Sequence, residues 1–175
     1  MLYLFIFKSL NVEIMYKTLL CLLLVTSSCS TTTYYVVRHA EKETQGAGMT
    51  SDVPLSAAGS ERAKALAGTL RNKHIQYVYS TNTIRTKTTA QPLAETIGAS
   101  IETYDPRDTA FVSYVKARGK GNALIVGHSN TVDDIVNKFL GRKELSDLPD
   151  SQFGDLFIIT RKGKNYSYSK SRFGN

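Results

Sequence analysis

The chain has 175 residues, 42% of them hydrophobic and 21% charged, with a formal net charge of +7. That is the make-up of one globular domain with a substantial core, and two cysteines, Cys21 and Cys29, exclude any zinc-type cysteine spacing. The basic residues are scattered rather than blocked, so the charge reads as a soluble surface with a mild preference for anions, and no nucleic-acid partner is expected.

Residues 18–25 form a short apolar run, preceded by Lys17 and followed by Thr26-Ser27-Ser28-Cys29. A charged start, a short apolar stretch and small residues before a cut are the parts of a secretory signal. The run is too short to span a bilayer, which takes about 20 apolar residues. Its end at a cysteine resembles a bacterial lipoprotein signal, whose cysteine is acylated and becomes the new N-terminus. Thr26 stands where that pattern prefers leucine. Met15-Tyr16-Lys17 would itself make a normal signal start, and an uncleaved anchor, helped by the apolar residues 2–7, is the alternative. The expectation is a signal over residues 1–29, lipid on Cys29, a polar tether over 30–33 and a folded domain over 34–175. Such a chain would sit in the bacterial cell envelope, held at the membrane by its lipid and facing the periplasm or the exterior.

Tyr34-Tyr35-Val36-Val37 is a β-prone apolar run that ends abruptly in Arg38-His39-Ala40-Glu41. A buried strand reads like the first half, and a site at a strand's carboxyl end reads like the second. Residues 42–53, rich in Gly, Thr and Ser, form a loop and one lip of that site. Ser56 is a plausible N-cap, and Ala63, Leu66, Ala67 and Leu70 mark one face of a helix running to about His74. Residues 76–80 read as a second strand. Residues 84–97 read as a second helix, with Pro92 as a kink. Residues 100–104 form a strand broken by Asp105-Pro106, and 109–116 a third helix. Residues 123–126 form a buried strand ending in Gly127-His128. Val132, Ile135, Val136, Phe139 and Leu140 repeat the helical spacing up to Gly141. Two strands close the chain, 155–160 and 166–170, joined by a turn at Gly163. Strands alternating with helices predict an α/β fold of three layers, α/β/α, around a mostly parallel central sheet.

His39 and His128 both follow strand-like runs directly, so in a parallel sheet they converge on one edge. Arg85, at the start of the helix after the second strand, lies on the same edge, where helix N-termini add free N–H groups. Two guanidiniums and two imidazoles around one point make a pocket for a dianion such as phosphate.

These residues resemble the histidine phosphatase (phosphoglycerate mutase-like) superfamily. Arg38-His39-Ala40-Glu41 is similar to its RH(G/A)-E signature. Asp52, Leu55, Ser56 and Gly59, with Ala63, resemble its D-x-x-L-(S/T)-x-x-G stretch. Residues 80–85, with Thr88 and Ala90, resemble the stretch carrying the second arginine, and Gly127-His128-Ser129-Asn130 resembles the second histidine motif.

The resemblance implies a phosphoglycerate mutase-like fold and a phosphoryl group carried on His39 and then hydrolysed. It implies that Arg38, Arg85 and His128 hold the phosphoryl oxygens, with no metal and no other cofactor. A backbone carbonyl accepting from the other nitrogen of His39 would fix the tautomer that attacks. Ser80, Ser129 and Asn130 are expected to line or brace the pocket. An alkoxide leaving group needs a proton, and Asp105 is the first candidate to supply it, followed by Asp108 and Glu41. For Asp105 the competing reading is a turn residue before proline. The implied activity is a metal-free phosphatase acting on a phosphorylated small molecule or a phosphoprotein. A non-catalytic phosphate-binding lipoprotein and a phosphomutase are the alternatives.

Overall fold

The computed structural model describes residues 31–44 and 52–174. The apolar N-terminal run, Cys29 and residues 45–51 of the loop after the first strand lie outside them. Six strands and four helices alternate along the described chain. The strands form one sheet in the order β3-β2-β4-β1-β5-β6. They are β1 (Thr31–Arg38), β2 (Ile75–Thr81), β3 (Ile101–Tyr104), β4 (Asn122–Gly127), β5 (Asp155–Lys162) and β6 (Asn165–Arg172). The first four run parallel, and β5 and β6 are antiparallel additions on the far side of β1.

β1 is central and packed on both faces, which is why its second half reads as an unbroken apolar run. Alternation splits its side chains between two cores. Tyr34 and Val36 enter one with Phe111, Val132, Val136 and Phe139, and Tyr34 stacks on Phe139 with ring centroids 4.4 Å apart. Tyr35 and Val37 enter the other with Leu66, Leu70, Leu93 and Leu156. The first core lies under α3 (Phe111–Ala117) and α4 (Val132–Leu140), the second under α1 (Ala57–Leu70) and α2 (Ile84–Ile97). This is the three-layer α/β/α arrangement.

Three boundaries differ from the sequence reading, and one helix keeps its expected bounds. The expected tether over residues 30–33 is mostly strand: Thr31, Thr32 and Thr33 pair with Lys162, Arg161 and Thr160. Thr32 is buried, and its hydroxyl donates to the Gly119 carbonyl at 3.1 Å. A run of β-branched threonines joins a sheet readily once a partner strand supplies the ladder, and that partner is 130 residues away in sequence. Helix α1 stops at Leu70 rather than near His74, whose φ of 51° belongs to the turn into β2. Helix α2 spans Ile84–Ile97 as expected, with Pro92 inside it, and closes on Gly98, which takes the left-handed conformation at φ 68°. Helix α3 begins two residues later than expected, after Asp108 accepts from the Ala110 N–H at 2.8 Å.

Helix α1 is seated directly on the chain that follows His39. Ser56 caps it through the Gly59 N–H at 3.1 Å, and the Ser56 N–H donates to the Glu41 carbonyl at 2.9 Å. Gly59 faces that same carbonyl, and a Cβ there would overlap it. Gly68, on the same helix, faces open space. Gly59→Ala should therefore destabilise the domain by about 1–3 kcal/mol, the usual cost of overpacking. Gly68→Ala should stabilise it by about 0.5–1 kcal/mol through helix propensity. Urea unfolding of both variants checks the pair. Equal effects would mean that the contact between α1 and Glu41 is not tight.

Candidate active site

The strand-end edge of the sheet gathers the site. β1 and β4 are neighbours in parallel register, Arg38 opposite Gly127, and the His39 N–H extends the ladder by donating to the Gly127 carbonyl at 2.9 Å. His39 and His128 thus leave adjacent strands side by side, with ring centroids 5.4 Å apart in an edge-on arrangement. His39 Nδ1 lies 2.7 Å from the Ala40 carbonyl, which can only accept, so Nδ1 carries the proton and Nε2 keeps its lone pair. The Ala40 N–H in turn donates to Thr89 Oγ1 at 3.0 Å, and Thr89 Oγ1 donates to the Arg85 carbonyl at 2.7 Å. His39 is 4% exposed. Burial first, then the charge of Arg38 and the nearby His128 and Arg85, hold its pKa down to about 3 against the pull of the Ala40 carbonyl. It is a neutral imidazole with one bare nitrogen.

The two arginines are fixed by different means. Arg38 is buried, and its Nη1 donates to the carbonyls of Pro149, Asp150 and Gln152 at 2.9, 3.1 and 3.2 Å. Its Nη2 meets the Asp150 carboxylate at 3.3 Å, and the guanidinium lies 4.3 Å from the centre of the Phe153 ring. Burial lowers its pKa, with Asp150 acting in the opposite sense. Arg85 sits in the first turn of α2, where the Asp52 carboxylate accepts from the Ile84 N–H at 2.9 and 3.1 Å and from Arg85 Nη1 at 3.3 Å. Asp52 therefore occupies the α2 N-terminus that the sequence had offered to a ligand.

His128 is half-buried, with Nε2 2.9 Å from Thr81 Oγ1 and Nδ1 3.5 Å from Arg85 Nη2. Burial, then the charges of Arg85 and Arg38, bring its pKa down to about 4.

These groups line a cleft of about 540 Å³ together with Lys42, Arg107, Ser129, Asn130, Asp150 and Phe153. Among the described lining residues four side chains are cationic, and three of them, Arg38, Arg85 and Arg107, each meet a carboxylate, that of Asp150, Asp52 and Asp105. Such a lining can hold an anion beside a neutral imidazole.

Of the residues expected at the site, Arg38, His39, Arg85, His128, Ser129 and Asn130 meet there. Ser80 does not line the cleft: it is fully buried and donates to the Thr81 carbonyl at 2.9 Å. Asp105 lies in a neighbouring hollow of about 420 Å³, where it binds the Arg107 backbone N–H and guanidinium. Those bonds hold its carboxyl below the ordinary value, the opposite of what a proton donor near neutral pH needs. The turn reading fits this geometry and the donor reading does not. Asp108 accepts from the Ala110 N–H in the turn that leads into α3. Glu41 is turned onto Arg62, with Nε–carboxylate distances of 2.9 and 2.8 Å; burial raises its pKa, but the Arg62 bonds, its own backbone N–H and the charges of Arg62 and Arg38 together bring it below the ordinary value.

Sequence reasoning missed Thr81, the clamp on Arg38 and the role of Asp52. It also placed the motif threonine at Thr88, whereas Thr89 is the one that is buried and bonded. Counting three residues after Arg85 before the Thr-Ala pair would have found it.

Residues 34–107 match the histidine phosphatase superfamily, branch 1. No curated protein sequence matches the chain. Among solved structures, one similar to this chain is an Agrobacterium tumefaciens protein assigned as the phosphohistidine phosphatase SixA. It is 20% identical with a TM-score of 0.63, the alignment covering 82% of this chain and 97% of that one. Another is the protein histidine phosphatase SixA complexed with tungstate, 17% identical at TM-score 0.65 over 80% and 96%. YhfR of Bacillus stearothermophilus is 18% identical at TM-score 0.61 over 78% and 94%. At these identities the likeness is one of fold. Fold and family match together support phosphatase activity.

The buried neutral state of His39 has a consequence for stability. Its folded pKa lies near 3 and its unfolded value near the ordinary 6.5, so between these the unfolded chain binds the extra proton. Stability is retained above about pH 6.5 and lost as pH falls toward 3, by at most about 1.4 kcal/mol per pH unit. His39→Asn should lose less stability than wild type between pH 6 and 4, as read from urea unfolding at each pH. Parallel acid profiles would mean that the ring is not held neutral.

Proposed function

We propose that this histidine phosphatase superfamily chain hydrolyses phosphorylated substrates through a phosphoryl group carried on His39, and that a phosphohistidine on a protein is the substrate the site suits best. The observation that carries the reading is the bare Nε2 of His39 at the floor of a cationic cleft, its other nitrogen committed to the Ala40 carbonyl at 2.7 Å. Nε2 attacks phosphorus, the P–N bond forms as the bond to the leaving group breaks, and the electron pair departs with that group. Water then attacks the same phosphorus, and the pair of the P–N bond returns to Nε2. Arg38, Arg85 and His128 take the equatorial oxygens and offset the charge spread over them. The tungstate bound by one SixA structure is a tetrahedral oxyanion, in keeping with such a pocket.

A phosphohistidine is favoured over an alkyl ester because of where the carboxyls are. Asp150, the one carboxylate among the described lining residues, is bound to Arg38, while Asp105 and Glu41 are bound to Arg107 and Arg62. A departing neutral imidazole needs less help from an acid than an alkoxide does. The same reading keeps the envelope location, with residues 18–29 supporting a lipid on Cys29.

His39→Ala should lower turnover of phosphoramidate and p-nitrophenyl phosphate by about 10³-fold or more while circular dichroism stays native. Asp105→Asn should change hydrolysis of alkyl and p-nitrophenyl esters alike, by no more than about threefold, and EDTA should leave both rates unchanged. A selective loss on alkyl esters of the 10²–10⁴-fold size typical of acid catalysis would restore Asp105 as the donor. Oxyanion binding without turnover in wild type would leave a binding protein.

A further inference from the structure

His128 touches two groups whose hydrogen-bond polarity can be worked out. A guanidinium only donates, so the nitrogen facing Arg85, Nδ1 at 3.5 Å, must offer its lone pair. The hydroxyl side gives the same answer independently. Thr86 Oγ1 donates toward the Thr81 carbonyl at 2.9 Å and the Thr83 carbonyl at 3.1 Å, both acceptors only, and with its single proton there it accepts from Thr83 Oγ1 at 2.8 Å. Thr81 Oγ1, 2.9 Å from Thr86 Oγ1, then donates to Thr86. What remains on Thr81 is a lone pair 2.9 Å from His128 Nε2, which must therefore carry the ring proton. Thr81 and Thr86 are 1% and 0% exposed, which keeps bulk solvent out of this chain of hydroxyls.

In this tautomer the neutral ring turns a lone pair toward Arg85 and the cleft. A lone pair repels a phosphoryl oxygen, whereas a protonated Nδ1 gives it a charge-assisted hydrogen bond. We propose that Thr81 is a positioning residue that holds neutral His128 as its Nε2–H tautomer, so that an oxyanion entering the cleft draws one proton onto Nδ1. The inference rests on reading the cleft as an oxyanion site.

The charges around the ring decide when that proton arrives. Arg38 and His39 face it from the end of β1, Arg85 from α2 with Asp52 beside it, and Arg107 and Asp105 from the turn after β3. In the free protein, burial and the arginine charges keep the ring neutral at pH 7. A bound dianion offsets those cations and raises the pKa of His128. Proton and anion then bind together, and by linkage the anion's affinity falls about tenfold for each pH unit at which one proton is taken up.

Sulfate is a suitable probe, because it is a dianion that brings no proton of its own near neutral pH. Long-range proton–nitrogen NMR of the full chain at pH 7 should show His128 protonated at Nε2 alone, and at both nitrogens with sulfate bound. Calorimetry in two buffers of different ionisation enthalpy should show uptake of about one proton, with sulfate affinity falling about tenfold per pH unit. Thr81→Val should populate the Nδ1–H tautomer and flatten that pH dependence, and Thr81→Ser should restore both. A proton on Nδ1 in the free wild type, a new proton on His39 Nε2 rather than on His128, or an unchanged slope in Thr81→Val would overturn the proposal. If Thr81→Val does not fold, the wild-type spectra decide alone. Failure of sulfate to bind at all would instead overturn the oxyanion reading of the cleft, and the tautomer of the free protein would still be read separately.

Discussion

The rest of the site depends on the short parallel pairing of β1 with β4 and the one bond that prolongs it, from the His39 N–H to the Gly127 carbonyl. That bond brings two histidines distant in sequence to the same edge within 5.4 Å. Gly127 is itself closely surrounded: a Cβ there would press on Thr131 Oγ1 and the Tyr104 hydroxyl at 3.0 Å each. The central strand therefore cannot shift register by one residue without moving His39 off the edge and exchanging its two cores.

A second constraint is electrostatic. Arg38 is brought into a nearly closed environment, and a buried cation is tolerated only when its donors are satisfied. Three backbone carbonyls and the Asp150 carboxylate meet its Nη atoms, while its buried Nε has no hydrogen-bond partner among the described residues. Holding the cations mostly through carbonyls and single carboxylates leaves the cleft with a surplus of positive charge. Burial first, and the arginine charges after it, keep both imidazoles neutral. The same arginine charges also attract an anion to the cleft.

Much of this was legible in the chain. The break from Tyr34-Tyr35-Val36-Val37 to Arg38-His39 marked both the central strand and the histidine that lines the cleft, because the two lie on consecutive residues. What was not legible was set by partners remote in sequence. Thr31 to Thr33 look like a polar tether until β5 pairs with them. Asp105 looks like a donor at a strand end, and only the placement of Arg107 across the turn shows its carboxyl occupied. Thr81 and Thr86 carry no signal of their own, since a buried hydroxyl chain is defined by what it faces.

The central claim is that His39 accepts the phosphoryl group on one particular nitrogen. Proton and phosphorus NMR of enzyme denatured in base during turnover, when a phosphohistidine survives, distinguishes the two ring isomers. With Nδ1 bound to the Ala40 carbonyl at 2.7 Å, the account predicts phosphorus on Nε2 of His39. Phosphorus on Nδ1, on His128, or on no histidine would contradict it.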